Sequence, residues 1–258
     1  MTPRYQIGHS SNHRHPSVDY EAFNGDPKPG GNQDLYYRKK GSRMTDITDE
    51  FVFGVDLDGV CADFYGKFRE IVADWRGTCK HDLTEDVSYG LPEWHLLPGE
   101  YERIHRFAVT QRDLFLTMQP ISGAAQAIRR LGTEGVRIRI ITHRLFIRSF
   151  HKNAVVQTVK WLDAHAIPYW DLCFMRDKAL VDADIYIEDN ETNIRNLQET
   201  GKPVIAYTNS TNRRMAPAPL LRADSWDEAE DLVRERYYYW RRAKHLPLPE
   251  APGHLPPN

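Results

Sequence analysis

Apolar residues recur along this chain in two rhythms, and the rhythms alternate. Residues 51–57 form a short, nearly continuous apolar run of the kind that a strand buried on both faces requires. Residues 136–142 ("VRIRIIT"), 171–175, 185–188 and 203–208 follow the same pattern and predict four more strands. Between them the period changes to that of a helix. Phe64, Phe68, Ile71, Val72 and Trp75 make one apolar stripe that Gly77 can close as a C-cap. Residues 122–131 and 150–164 behave similarly, and Ser225 with Glu228 predicts a capping box ahead of "EDLVRERYYYWRRAKH". Strands alternating with helices predict an α/β fold with a parallel sheet covered on both faces. In such sheets the ligand site lies beyond the carboxyl ends of the strands.

The alternation breaks once. Residues 63–118 contain a helix, the Gly/Pro-interrupted stretch "SYGLPEWHLLPGEYERIHRF" and no convincing strand. This is the signature of a helical cap inserted into a core made of residues 44–62 and 119–246. Residues 1–43 show neither period and predict a disordered tail, in which "HSSNHRH" reads as solvated histidines rather than a metal site. Residues 247–258 carry too many prolines for helix or strand and predict a second loose tail.

Composition narrows the function classes. A chain of 258 residues with 41% hydrophobic content can bury one sizeable core, and a net charge of −2 provides no global field to gather nucleic acid. Partners must be recognised locally. Cys61, Cys79 and Cys173 are an odd number without metal-ligand spacing, which predicts reduced thiols. No apolar run approaches the roughly 20 residues that span a bilayer, and no secretory leader opens the chain, so a cytoplasmic location is expected.

The candidate chemistry begins in "FGVDLDGVCADF". Asp56 and Asp58 leave the first strand on one side of the backbone, and Gly59 lets the chain turn away at once. Two carboxylates this close repel unless a cation neutralises them, and their hard oxygens suit Mg²⁺. With a phosphoryl group present, Asp56 could attack phosphorus while Asp58 protonates the leaving oxygen and later activates water. A solvated acidic turn is the alternative that this dipeptide pattern leaves open. Three later stretches bear on the choice. "IRIITHR" ends the second strand in Thr142, whose hydroxyl, with the amide of His143, can hold a phosphate oxygen. "RDKALVDADIYIEDN" supplies Lys178 as a compact cation, and then Glu188 and Asp189 as carboxylates at a strand end that could complete a metal site.

In this order, these residues resemble the four motifs of the haloacid dehalogenase-like phosphatase superfamily, over residues 51–208. "LFLTMQPISGA", "RDKALVDADIYIEDN" and "RADSW" resemble its 5'(3')-deoxyribonucleotidase branch. The resemblance implies a Rossmann-like core with a C1-type cap and an Mg²⁺-dependent phosphomonoesterase acting on nucleoside monophosphates. It implies Asp56 as nucleophile and Asp58 as acid/base, with Thr142, His143 and Lys178 on phosphate, and Asp56, Asp58, Glu188 and Asp189 on the metal. That branch usually carries Asp where this chain has Glu188. Trp94, Arg144 and Arg176 are candidates for the rest of the substrate, although packing explains a cap tryptophan and surface charge explains the arginines equally well. Another small phosphomonoester, a terminal phosphate on a nucleic acid, or a catalytically silent phosphate-binding module are the alternatives. No membrane or nucleic-acid partner is expected, and a homodimer is a state the resemblance allows.

Overall fold

A computed structural model describes residues 50–145 and 150–249. The N-terminal tail and most of the C-terminal tail lie outside the described residues. Six strands form one parallel sheet: β1 (Val52–Val55), β2 (Arg137–Thr142), β3 (Asp171–Phe174), β4 (Ile185–Glu188), β5 (Val204–Tyr207) and β6 (Leu221–Ala223). Their spatial order is β3-β2-β1-β4-β5-β6. This is the order of a Rossmann-like α/β fold. The chain builds outward from β1 in one direction as far as β3, then returns to place β4 on the other side of β1. A crevice opens where the two connections diverge, beyond the carboxyl ends of β1 and β4.

Five strands fall where the hydrophobic runs predict them, β4 with the expected bounds and the other four trimmed at one or both ends. β6 was not expected. Its three residues, "LRA", are too few to show a period, and pairing with Ala206 and Tyr207 of β5 defines them. The helices are α1 (Phe64–Arg76), α2 (Glu100–Gln111), α3 (Leu114–Thr117), α4 (Ala124–Glu134), α5 (His151–Ala164), α6 (Glu191–Glu199) and α7 (Trp226–Ala243). Gly77 does close α1, at φ 64°. Ser225 caps α7 by accepting from the Glu228 N–H, while the Glu228 carboxylate bonds the Asp224 N–H rather than that of Ser225.

Residues 63–118 carry α1 to α3 and, among the described residues, no strand. The segment leaves and re-enters the core at one point. The Asp63 N–H donates to Gln119 O (2.9 Å) and the Ile121 N–H to Cys61 O (2.7 Å). Phe68, Trp94, Ile104 and Phe115 from this segment share one apolar cluster with Phe53 and Leu57 of the sheet side and Trp226 of α7. The inserted helices are therefore seated on the sheet core. Trp75, expected on the buried stripe, is 41% exposed and meets Phe107 edge-on at the outer end of α1.

The turn after β1 is held from inside. Leu57 O accepts from the Cys61 and Ala62 N–H groups, both at 2.8 Å, and the Trp226 indole donates to Val60 O at 2.8 Å. Gly59 sits at φ 84°, and a Cβ added there would lie 2.1 Å from Asp189 Oδ2. Gly59→Ala therefore meets two separate penalties, one from the backbone and one from the carboxylate beside it. The expected loss is about 1 kcal/mol or more of unfolding free energy. Denaturant unfolding measures it, and an unchanged midpoint would contradict this view of the turn.

Candidate active site

Asp56, Thr142 and Glu188 stand at the carboxyl ends of three adjacent strands. The Asp56 N–H still bonds Ile187 O at 3.2 Å, so the first aspartate is fixed by the sheet ladder itself. Asp56, Glu188 and Asp189 are buried, and each brings a carboxylate oxygen within 4.8 Å of the others. Among the described residues, one cation reaches into this group. Lys178, in a short 3₁₀ turn that Asp177 caps, places Nζ 2.5 Å from Asp56 Oδ1 and 2.6 Å from Glu188 Oε2.

One lysine cannot balance three buried acids. Burial, and then the charge of Glu188, push the Asp56 carboxyl up to about 8 against the pull of Lys178. Burial followed by Glu188 and Asp56 holds Asp189 well above the carboxylate range. For Lys178, burial works against the charged amine, but Asp56 and Glu188 outweigh it and keep the side chain protonated. Such a set of hard oxygens with surplus negative charge fits a divalent cation of the Mg²⁺ kind.

Further groups orient these acids. Glu188 Oε1 accepts from the Asn190 N–H at 3.0 Å, so both of its oxygens are engaged. Asn209 Nδ2 donates to Asp189 Oδ2 at 2.6 Å. Asn212, wholly buried, donates to Asp189 O and Tyr207 O, both at 2.7 Å, and its Oδ1 accepts from Arg222 at 3.0 Å. The sequence reading missed both asparagines. Their only signal was a pair spaced by three residues directly beyond β5, within "TNSTN".

The structure separates Asp58 from the other three acids. Its carboxylate is gripped by the Arg144 guanidinium, Nη2 to Oδ1 at 2.7 Å and Nε to Oδ2 at 3.0 Å. The surface role that arginine has by default is overturned here, because the Arg144 side chain is completely buried. Thr142 is also buried, and its hydroxyl accepts from the Arg144 N–H at 3.4 Å. His143 does line the cavity. Its Nε2 is buried and, among the described residues, has no hydrogen-bond partner, while burial and Lys178 lower its basicity.

Above the acids, α1 to α3 and the turn at Tyr89 supply an aromatic wall of Phe64, Tyr65, Tyr89, Tyr101, His105 and Phe115. Burial, ahead of nearby acids and hydroxyls, raises the phenols of Tyr65 and Tyr101 far enough that both remain hydroxyl donors. Burial lowers His105 to about 4, leaving a neutral ring at neutral pH. Trp94 is not part of this wall. It packs on Phe68 with its indole N–H on Thr84 O at 2.9 Å, so it presents no open face to the cavity. Arg176 is exposed and also lies outside the cavity wall. Tyr65, one position off the apolar stripe of α1, is the aromatic that a reading of stripe residues passes over.

Residues 50–238 match the family described as 5' nucleotidase, deoxy (pyrimidine), cytosolic type C. The chain belongs to this enzyme family. A Chlorobaculum tepidum protein provisionally named a 5'(3')-deoxyribonucleotidase is 53% identical over 187 residues, covering 72% of this chain and 91% of that protein. The human cytosolic-type 5'(3')-deoxyribonucleotidase is 30% identical over 206 residues, covering 70% of this chain and 93% of its own. A haloacid dehalogenase-like hydrolase from Streptococcus pneumoniae superposes with a TM-score of 0.51 at 13% identity, covering 72% of this chain and 99% of that one, which is a likeness of fold.

For this nucleotidase-family chain, the crowding of the acids has a measurable consequence without metal. Folded Asp56 holds its proton to about pH 8, whereas its ordinary value is 3.8, so the folded state binds more protons than the unfolded one in between. Stability must fall as pH rises through that window. The lowered histidines act in the opposite direction, but only below about pH 6.5. In a chelator, the melting temperature should therefore fall between about pH 6.5 and 8, and Asp56→Asn should flatten the slope. A rising melting temperature over that interval would contradict the assignment.

Proposed function

We propose that the protein is an Mg²⁺-dependent phosphomonoesterase that hydrolyses nucleoside monophosphates, deoxy forms included, through an aspartyl phosphate on Asp56. The observation that carries this reading is the two-sided cavity. Its floor is an acid cluster centred on Lys178, and its wall is aromatic. The names of the family and of the relatives point the same way.

The carboxylates of Asp56, Glu188 and Asp189, with the backbone carbonyl of Asp58, would hold the cation. When bound, it neutralises acids and phosphate together, which is the charge balance that Lys178 alone cannot provide. The residues then divide the work. Lys178, His143 and the end of β2 at Thr142 draw in the phosphate. Asp56 lines the same cavity as Lys178 and His143 and is fixed by the sheet ladder, so its attack needs little rearrangement. As an Asp56 oxygen bonds to phosphorus, the bond from phosphorus to the ester oxygen breaks and that oxygen takes the Asp58 proton. In the second half, water attacks phosphorus, Asp58 accepts the water's proton, and Asp56 is released as a carboxylate. The aromatic wall limits access of bulk water and offers flat faces to a base, with the Tyr65 and Tyr101 hydroxyls as neutral donors nearby. This reading assigns stacking to the wall and leaves Trp94 to packing.

Asp56→Asn should lower kcat by about four powers of ten or more while leaving the protein folded, since an amide cannot form the acyl phosphate. Near-normal turnover in a folded Asn variant would end the mechanism. Nucleoside 5'-monophosphates should also exceed glucose 6-phosphate in kcat/KM, because every candidate presents the same phosphate to the floor. Tyr65→Leu should reduce that preference by roughly one power of ten, the scale of one lost stacking contact, whereas a Trp94 substitution should act through stability. A wild type that prefers glucose 6-phosphate would reject the nucleotidase reading and leave the phosphatase chemistry standing.

A further inference from the structure

The site contains a second buried cation that the reaction above gives no task. Arg144 follows the end of β2 by two residues, and its guanidinium is engaged in several directions at once. Its fork closes on both oxygens of Asp58. Nη1 donates to Thr158 Oγ1 of α5 at 3.0 Å, and that hydroxyl in turn donates to Ala154 O at 2.7 Å. The flat face lies on Phe115 of α3, with Cζ 4.4 Å from the ring centroid. Its backbone N–H bonds Thr142. A fully buried guanidinium held in this way is poorly placed to follow an incoming substrate.

We infer that Arg144 is a positioning residue: it aims the Asp58 carboxyl at the leaving-group side of the cavity and keeps it out of the cluster formed by Asp56, Glu188 and Asp189. This inference rests on the phosphomonoesterase reading. Asp58 lies two residues from Asp56 in sequence, yet its carboxylate is not among the three that converge within 4.8 Å. Without a fixed partner, a carboxylate so close to a cation site would turn toward it and lose contact with the ester oxygen. A planar fork that bonds both oxygens sets direction as well as charge, which a lysine cannot do. Phe115 and Thr158 hold that fork, so α3 and α5 together determine where the acid points.

The step that depends on this aim is the first one. As Asp56 bonds to phosphorus, the ester oxygen leaves with the bond's electron pair, and the Asp58 carboxyl proton transfers to it. The alkoxide of a nucleoside or of glycerol needs that proton, whereas p-nitrophenolate leaves as a stable anion. A mispositioned acid should therefore harm alkyl esters selectively.

The test measures kcat/KM, which reports this first step, for deoxyuridine 5'-monophosphate, glycerol 2-phosphate and p-nitrophenyl phosphate in wild type, Arg144→Met and Arg144→Lys. Both variants should lose about 100-fold or more on the two alkyl esters and less than about tenfold on the aryl ester, with the alkyl loss falling in kcat rather than KM. Arg144→Lys retains the charge without the fork and carries the test if Arg144→Met does not fold. Equal losses on alkyl and aryl esters, or a loss confined to KM, would overturn the inference. A wild type that hydrolyses glycerol 2-phosphate but not the nucleotide would reject the nucleotidase reading alone, and the alkyl-to-aryl comparison would still decide the role of Arg144. A wild type inert toward all three would end both.

Discussion

Three buried carboxylates converge beside one lysine, which bonds two of them, at the carboxyl edge of the sheet, and much of the surrounding structure serves to keep them there. Left to themselves, Asp56, Glu188 and Asp189 would separate or leave the interior, because each adds to the cost of burying the others. The β1 and β4 ladder fixes two of them, and the asparagines beyond β5 fix the third. Gly59 lets the chain pass close enough to Asp189 that no larger residue fits. The crowding weakens the fold locally, and the continuous apolar core around Phe53, Phe68 and Trp226 offsets it.

The same architecture divides labour between sheet and insertion. Strand ends contribute charge, which requires fixed positions and partners. Inserted helices contribute aromatic rings, which require only an open face over the cavity. Arg144 belongs to the first group by sequence and touches the second through Phe115. The inserted helices and the floor are thus joined through Arg144 and Asp58 as well as by packing.

Much of this was legible in the chain before any fold was known. Parallel strands buried on both faces leave continuous apolar runs, so five of the six could be placed, and β6 escaped because three residues carry no period. The acids at strand ends were legible because they follow those runs directly. Their partners were less visible. Arg144 looked like a surface charge because its burial depends on Asp58, which lies 86 positions earlier. The aromatic content of the insertion was evident, but not which face of α1 and α2 looks into the cavity. Trp94 was accordingly placed with the substrate when it packs within the core, and Tyr65 was overlooked. Asn209 and Asn212 act through contacts across the β4 and β5 ends that no local pattern encodes.

The central claim is that the acid cluster is built to be completed by a divalent cation. Calorimetric titration of Mg²⁺ into metal-free protein near pH 7, repeated in buffers of different ionisation enthalpy, tests it without substrate. The expected result is one ion bound per chain with net release of protons, because Asp56 holds its proton at that pH only while the cation is absent. Folded protein that binds no Mg²⁺, or binds it without releasing protons, would contradict the claim.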